Sequence, residues 1–298
     1  MKSQPPKCLR FRARSGLMAK IMSSRLRFYL ISYLHRETLD GAAMMWIVAP
    51  FWFPIPVCLA RRFCGLRLEG DIFGAVYIGK HPIVTKHTCR LCNSFGKTRF
   101  FQDRQRSYFR CQTCHLVFVL PAQFLPADAE KAEYDLHQNS PHDERYRQFL
   151  SRLFNPVQAR LASASHGLDF GSGPGPTLSV MFEEAGHTVA IYDRFYAVDP
   201  AVLTQQYDFI TASEVVEHLH QPGQTLDRLW GCLRPGGILG IMTKLVVDEQ
   251  AFARWHYRND LTHVCFFSRS TFRWLADRWQ AELSFVGDDV ILLVKNVD

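Results

Sequence analysis

One stretch of this sequence lacks negative charge, and another lacks charge of either sign. Residues 1–36 contain no acidic residue, and residues 41–60 contain no charged residue at all. The basic residues of the first stretch are Lys2, Lys7, Arg10, Arg12, Arg14, Lys20, Arg25, Arg27 and Arg36. Because these nine charges exceed the formal net charge of +7, residues 37–298 carry a net charge of −2. The positive charge of the whole chain is therefore no argument for a nucleic-acid surface on its main body.

The uncharged run 41–60 is long enough to span a bilayer as a helix. However, Pro50, Pro54 and Pro56 would interrupt such a helix repeatedly. The run also begins too late for a secretory signal peptide. Three interpretations of residues 1–85 stay open: an extension of uncertain order, a membrane-contacting segment, and a targeting sequence. We expect a cytoplasmic protein, with peripheral membrane association through 41–60 as the alternative, and the oligomeric state stays open.

The cysteines are spaced for metal binding, because four of the nine form two C-x-x-C pairs with 18 residues between them. These four are Cys89, Cys92, Cys111 and Cys114. Each pair places two thiolates on a tight turn, and two pairs complete a tetrahedral set of four sulfurs. Since four protein ligands leave no open position, we predict a structural Zn²⁺ in a zinc ribbon over residues 86–120. His115 adjoins the last ligand and is predicted not to bind the metal.

Residues 121–160 are predicted to be a polar helical linker. They contain an unusual density of ring-bearing and hydrogen-bonding side chains: Tyr134, His137, Asn139, His142, Asp143 and Tyr146. Two interpretations stand. The segment is either a solvated connector or a lid that folds over a ligand site and contributes contacts to it.

Strand and helix patterns alternate regularly over residues 161–298, which indicates an α/β domain with a mostly parallel sheet. At its end, two strand patterns flank Gly287-Asp288-Asp289, which is a hairpin turn signal. The expected fold is a Rossmann-like, doubly wound sheet with a terminal antiparallel hairpin, preceded by the small zinc ribbon.

A glycine-rich turn follows the first strand of this domain: Asp169-Phe170-Gly171-Ser172-Gly173-Pro174-Gly175. Glycines let a ligand approach the backbone, and the next helix points its N–H groups at that ligand. Asp193 ends the second strand, where an acid accepts the ribose hydroxyls of a nucleotide-like ligand. A dinucleotide site requires glycine or alanine where this chain has Pro176. The terminal hairpin also replaces the second half of a dinucleotide fold.

The glycine turn, Asp193 and two later segments together resemble the class I S-adenosylmethionine-dependent methyltransferases over residues 165–298. The later segments are residues 207–219, which end in Glu-Val-Val-Glu-His-Leu, and the turn Leu-Arg-Pro-Gly-Gly at 233–237. The first of them resembles the subgroup that contains the ubiquinone-pathway O-methyltransferases. A zinc ribbon ahead of such a domain resembles bacterial proteins known only as methyltransferase domain proteins.

The resemblance implies S-adenosylmethionine as the cofactor and assigns residues to it. Asp169, Gly171 and Gly173 would line its amino-acid and ribose end, and Asp193 would hold the ribose. Ser213, Glu214 and Val215 would lie under the cofactor. The chain departs from the family because too few residues separate Asp193 from Asp208 for a third strand between two helices. We therefore expect that strand to be missing, with Asp199 as a substitute for the usual acidic contact to adenine.

Two histidines are candidates for the base that an oxygen acceptor requires. His218 follows the fourth strand of the domain, and His263 lies on the loop after the fifth. Both would reach the cleft at the carboxyl ends of the strands. For each the alternative is a structural hydrogen bond. The expected reaction is O- or C-methylation of a small-molecule acceptor, with Trp255, His256 and Tyr257 shaping its pocket or simply packing.

The alternative function is an RNA-binding zinc ribbon, in an rRNA or tRNA methyltransferase or on a domain that serves only as a scaffold. It depends on the basic residues of the ribbon: Arg90, Lys97, Arg99, Arg104, Arg106 and Arg110. Few aromatic residues accompany them for base stacking. Nucleic acid is therefore the less favoured partner.

Overall fold

The computed structural model describes residues 88–136 and 139–297. Residues 1–85, including 41–60, and His137 lie outside the described residues, so the interpretations given for them stay predictions. No helix within the described ranges has the length and apolar character to cross a membrane.

The strands are β1 Lys97–Gln102, β2 Ser107–Cys111, β3 Val117–Val119, β4 His166–Phe170, β5 Thr188–Tyr192, β6 Tyr207–Ser213, β7 Leu233–Met242, β8 Cys265–Phe266, β9 Glu282–Val286 and β10 Val290–Val294. The helices are α1 Ala127–Tyr134, α2 Glu144–Gln158, α3 Thr177–Glu184, α4 Pro222–Gly231, α5 Glu249–Ala253 and α6 Arg269–Trp279. Short 3-10 helices connect several of them.

The larger sheet has the order β5-β4-β6-β7-β10-β9. Strands β5, β4, β6 and β7 run parallel to one another, whereas β10 is antiparallel to both β7 and β9. The predicted α/β sheet with a terminal hairpin is therefore confirmed. Strand β5 is an edge strand, and the 3-10 helix Pro200–Thr204 replaces a further strand beside it. The expected loss of the third strand is confirmed with it.

Two hydrophobic clusters cover the two faces of this sheet. Successive strand residues belong to different clusters, as with Phe209 and Ile210 on β6, because side chains alternate between faces along a strand. One cluster includes buried residues of α2 and α3, and the other includes residues of α4 and α6. The sheet is thus the middle layer of three.

Helix α6 begins at a serine cap, where the Ser268 side chain accepts a hydrogen bond from the Thr271 N–H at 3.1 Å. Residues 233–237, predicted to be a turn that feeds a strand, are instead the first part of β7. Their pairing with β6 is irregular between Tyr207 and Phe209. The irregularity accommodates the extra residues without ending the strand.

The smaller sheet has the order β1-β2-β3-β8. Strands β1 to β3 come from residues 86–120, hereafter the ribbon segment, but β8 comes from the α/β domain. The ribbon segment also meets helix α4, where the Gly223 N–H donates to the Arg90 carbonyl at 3.1 Å. Residues of both regions share one hydrophobic cluster. The ribbon segment is therefore an integral part of the α/β domain's packing.

We predict that Gly223→Ala destabilises the protein by about 1–3 kcal/mol, because a Cβ there would overlap the Leu91 carbonyl oxygen. Gly231→Ala, near the other end of α4, is the matched control. A Cβ at Gly231 meets nothing within 4 Å, so the better helix propensity of alanine should leave stability unchanged or raised. Urea unfolding of both variants measures the difference. Equal midpoints would contradict the close packing of the ribbon segment on α4.

Candidate active site

The glycine-rich turn leaves β4 and crosses the end of β5. The N–H groups of Gly171 and Ser172 donate to the Tyr192 carbonyl at 2.7 and 3.2 Å. Gly171 has φ 78° and Gly173 has φ 64°, which is the left-handed region that favours glycine. A Cβ at Gly171 would overlap the Val215 side chain, whereas a Cβ at Gly173 would meet no atom of the described residues within 4 Å. Space above Gly173 is thus open to a ligand.

Asp193 fixes this turn to the end of β5. One carboxylate oxygen accepts a hydrogen bond from the Gly173 N–H at 3.0 Å. The other accepts from the N–H groups of Phe195 and Tyr196 at 2.8 and 3.1 Å. The side chain predicted to hold a ribose therefore also organises the backbone around it.

Asp169 lies beneath the turn and is not among the residues that line the pocket. Its carboxylate accepts a hydrogen bond from Thr211 Oγ1 at 2.9 Å. Burial raises the pKa of Asp169 to about 6. Asp169 thus links β4 to β6 below the cavity, and its assignment to the cofactor site stays a prediction.

A cavity of about 730 Å³ opens above the carboxyl ends of the parallel strands. Every other predicted cofactor and catalytic residue lines it: Gly171, Gly173, Asp193, Ser213, Glu214, Val215, His218 and His263. Tyr257 lines it as well. Asp199 does not; it is exposed and caps the 3-10 helix Pro200–Thr204, so the guess that it contacts the adenine is wrong.

Several described residues of the segment 121–160, hereafter the lid segment, line one side of the cavity. Tyr134, Asn139 and Tyr146 line it. The Asn139 backbone lies so close to the glycine turn that a Cβ at Gly175 would overlap the Asn139 carbonyl oxygen. The buried Glu130 accepts a hydrogen bond from Tyr134 at 3.0 Å and pairs with Arg194 at 3.2 Å. These described residues are therefore packed against the cavity, and the lid interpretation of the segment stays a prediction.

His263 and His218 meet in the cavity, with ring centroids 4.6 Å apart. The Nδ1 atom of His263 lies 2.6 Å from the Tyr257 carbonyl oxygen. Because a carbonyl only accepts hydrogen bonds, Nδ1 carries the proton and Nε2 has the free lone pair. Nε2 lies 3.7 Å from an Asp260 carboxylate oxygen. Burial lowers the pKa of His263 below its ordinary value, so the ring is neutral at pH 7.

A buried network of acids lies beside the histidines. The Tyr257 hydroxyl is within hydrogen-bond distance of Glu217 Oε1 and lies 3.2 Å from Glu214 Oε2. Thr243 Oγ1 donates to Glu217 Oε2 at 3.0 Å. Burial, together with the Glu214 charge, raises the pKa of Glu217 to about 8. Glu214 Oε1 is buried and has no hydrogen-bond partner in the described part of the chain.

Glu217, His218 and His263 place one ligand atom each within 4.8 Å of one another, which is close enough for a metal ion. Both carboxylate oxygens of Glu217 already accept hydrogen bonds, from Thr243 and Tyr257. This arrangement satisfies the side chain without a cation.

The four predicted cysteines do converge. Their sulfurs lie within 4.8 Å of one another, with Cys89 and Cys114 at 3.5 Å and Cys92 and Cys111 at 3.4 Å. All four are free thiols at these distances. Each C-x-x-C turn is followed by a residue with positive φ, which is Asn93 in the first and His115 in the second. His115 therefore serves the second turn and is not a member of the four-cysteine cluster.

Sequence reasoning missed several residues that line the cavity: Glu130, Arg194, Lys244 and Asp260. Asp260 lies three residues before His263 and could have been found from the loop position. Glu130 lies in a helix whose other acids are exposed, so the sequence carries no signal that this one is buried.

A match to a family model supports a methyltransferase domain in this chain. Residues 137–283 match the model of a methyltransferase domain family. No curated protein matches the chain. Among solved structures, the chain is similar to the 1,6-didemethyltoxoflavin N1-methyltransferase of Burkholderia thailandensis, with 18% identity over 67% of this chain and 99% of that one and a TM-score of 0.40.

Two further solved structures are similar to the chain at lower identity. One is an O-methyltransferase family protein of Burkholderia thailandensis, with 14% identity over 57% of this chain and 63% of that one and a TM-score of 0.39. The other is human N-acetylserotonin methyltransferase, with 14% identity over 51% and 54% and a TM-score of 0.35. Likenesses this distant decide neither the acceptor nor the roles of individual residues.

Proposed function

We propose that this chain methylates a small neutral or cationic acceptor that carries an O–H or N–H group. Its methyltransferase domain makes the chain an S-adenosylmethionine-dependent methyltransferase. The observation that supports this most is the shared cavity: the glycine turn and Asp193 lie on one side, and His263 and His218 lie on the other. A cavity of about 730 Å³ is within the usual range for small-molecule sites.

The cavity fits S-adenosylmethionine on three observations. The space above Gly173 is open, Asp193 is already aligned by three backbone N–H groups, and Glu214 Oε1 is a buried acceptor without a partner among the described residues. Asp193 would hold the ribose, and Glu214 would accept a hydrogen bond from the ligand. When bound, S-adenosylmethionine supplies a methyl group on a positively charged sulfur.

His263 is the proposed base. Its proton on Nδ1 is held by the Tyr257 carbonyl at 2.6 Å, so Nε2 is the atom that takes the acceptor's proton. Asp260, 3.7 Å from Nε2, stabilises the imidazolium that results. The lowered pKa of His263 keeps the ring in its accepting form at neutral pH. His218 lies against His263 and the lid residue Tyr134, where it orients the acceptor.

The charges around the cavity define the acceptor class. Four carboxylates line it, from Glu130, Asp193, Glu214 and Asp260, against two basic side chains, Arg194 and Lys244. Arg194 already pairs with Glu130. An anionic acceptor such as a phosphate ester or a nucleic acid would meet a surplus of negative charge. Phenols, catechols and amines meet no such repulsion.

The carboxylates that line the cavity also weigh against RNA as the acceptor. Of the basic residues on which the RNA alternative depends, Arg106 is 4% exposed and donates hydrogen bonds to protein carbonyls.

We also propose that Cys89, Cys92, Cys111 and Cys114 hold a structural Zn²⁺. Sulfurs bound at about 2.3 Å to one tetrahedral ion would lie about 3.8 Å apart. The distances of 3.4 and 3.5 Å fit such a site.

We predict that S-adenosylhomocysteine binds the wild-type chain and binds Asp193→Asn at least about tenfold more weakly. The asparagine amide cannot accept hydrogen bonds through both of its terminal atoms. Asp199→Asn, on the same connection but exposed, is the matched control and should bind as the wild type does. Isothermal titration calorimetry measures all three. If the wild type does not bind, the cofactor assignment is wrong.

We predict that His263→Gln lowers methyl transfer at least about 100-fold without changing the affinity for S-adenosylhomocysteine, because the amide cannot take a proton. The assay uses methyl-tritiated S-adenosylmethionine with simple phenols, catechols and primary amines. His256→Gln, which is exposed on the neighbouring 3-10 helix, is the control. Turnover of none of these compounds by the wild type would contradict the acceptor class.

We predict one zinc ion per chain, measured by plasma mass spectrometry after gel filtration. Cys111→Ser should lose the metal, because three sulfurs no longer complete the tetrahedron. Cys232→Ser is the control, since Cys232 is also buried but is far from the cluster in sequence. Its thiol donates a hydrogen bond to the Leu203 carbonyl instead. A folded, metal-free wild type with four titratable ribbon thiols would refute the zinc site.

A further inference from the structure

Arg106 is a buried arginine that no motif of the sequence explains. It lies at the turn between β1 and β2, and only 4% of its surface is exposed. The turn itself is held by Asp103, whose Oδ1 accepts hydrogen bonds from the N–H groups of Gln105 and Arg106 at 2.8 and 2.7 Å. The Arg106 side chain therefore leaves a fixed point on the ribbon segment.

All five N–H donors of the Arg106 guanidinium are used. Nε donates to the Tyr108 hydroxyl at 3.1 Å. The four remaining donors reach backbone carbonyls of one segment, residues 258–263, hereafter the His263 segment. Nη1 donates to Leu261 and His263 at 3.3 and 2.8 Å, and Nη2 donates to Asp260 at 2.9 Å and to Arg258. A guanidinium is planar and rigid, so four carbonyls bound to it are fixed relative to one another.

Two further contacts tie the same segment to the ribbon. Arg258 of the His263 segment forms an ion pair with Asp103 of the ribbon segment at 2.6 Å. Each segment therefore contributes an arginine that binds the other. Directly after His263, the Val264 carbonyl accepts from the Val119 N–H at 3.1 Å, and β8 pairs with β3. The His263 backbone is thus held from the ribbon on both sides, while its ring is held by the Tyr257 carbonyl.

We propose that Arg106 is a positioning residue for His263, and that the ribbon segment acts on methyl transfer by holding the acceptor side of the cavity in place. The proposal rests on the proposed function only in giving His263 the role of base. Arg106 contacts neither the glycine turn nor Asp193. It should therefore affect the acceptor side of the cavity and leave the cofactor side unchanged.

The test is Arg106→Lys in the full chain. Lysine keeps the positive charge near His263 but has only three donors in a different geometry, so the carbonyls lose their shared partner. Arg104→Lys, exposed on the same turn, is the matched control. Hydrogen exchange of the peptide that covers the His263 segment should be at least about tenfold faster in Arg106→Lys than in Arg104→Lys. Exchange at the glycine turn should be the same in both.

The second measurement is the titration of the His263 ring by NMR, with the signal assigned from His263→Gln. The titratable and charged groups around this ring are Asp260, His218, Glu217, Tyr257, Lys244 and Arg106, and the lysine variant preserves the charge of the last. Loss of burial should raise the His263 pKa toward its ordinary value in Arg106→Lys and leave it unchanged in Arg104→Lys. A merely structural role for Arg106 would change stability without moving this titration.

If Arg106→Lys does not fold, Tyr108→Phe tests the same inference more mildly, because it removes one of the five acceptors and keeps the ring. It should move the exchange and the titration in the same direction by smaller amounts. Unchanged exchange and an unchanged His263 titration in a folded variant would overturn the proposal. S-adenosylhomocysteine binding, measured alongside, reports on the proposed function separately, since a wild type that does not bind it would leave the Arg106 result intact.

Discussion

The three backbone N–H groups that bind the Asp193 carboxylate are the contacts on which the cavity depends. They join the glycine turn after β4 to the chain that leaves β5, so two strand ends become one surface. The open space above Gly173 exists because this turn is held in a left-handed conformation. The lid segment then lies on the turn at Gly175, where no side chain intervenes. The position of the glycine turn therefore fixes both the space for the cofactor and the surface on which the lid segment lies.

Much of this site could be predicted from the sequence, since parallel strands end at one edge of a sheet. Residues that follow β4, β5, β6 and β7 had to converge, and Gly171, Asp193, Glu214 and His263 do so. The missing third strand was predictable from the short connection between Asp193 and Asp208 alone. The hydrogen bond between Asp169 and Thr211 was not predictable, because it depends on the register of β4 against β6 and a motif does not carry register. The lid stayed ambiguous because its polar residues suit solvent and cavity equally.

The ribbon segment shows a different limit of sequence reasoning. Cysteine spacing predicts the cluster because four ligands of one ion must meet. It does not predict that a two-residue strand from far along the chain completes the sheet. Nor does it distinguish the buried Arg106 from Arg99, Arg104 and Arg110, which are exposed on the same segment. Burial of an arginine follows from carbonyls that only the folded chain brings together. Burial therefore removes Arg106 alone from the candidate nucleic-acid surface and makes it an internal support.

The pairing of β3 with β8 also constrains how the chain is made. Val117 pairs with Phe266, so the partner of the ribbon's last strand leaves the ribosome about 150 residues after it. Until then β8 cannot cover this edge of β3, whose residues Val117, Phe118 and Val119 are buried in the folded chain. If the four cysteines hold the proposed Zn²⁺, binding of the ion before β8 is made would keep this hairpin folded while the rest of the chain is synthesised. The proposed metal site would then protect the growing chain as well as stabilise the finished fold.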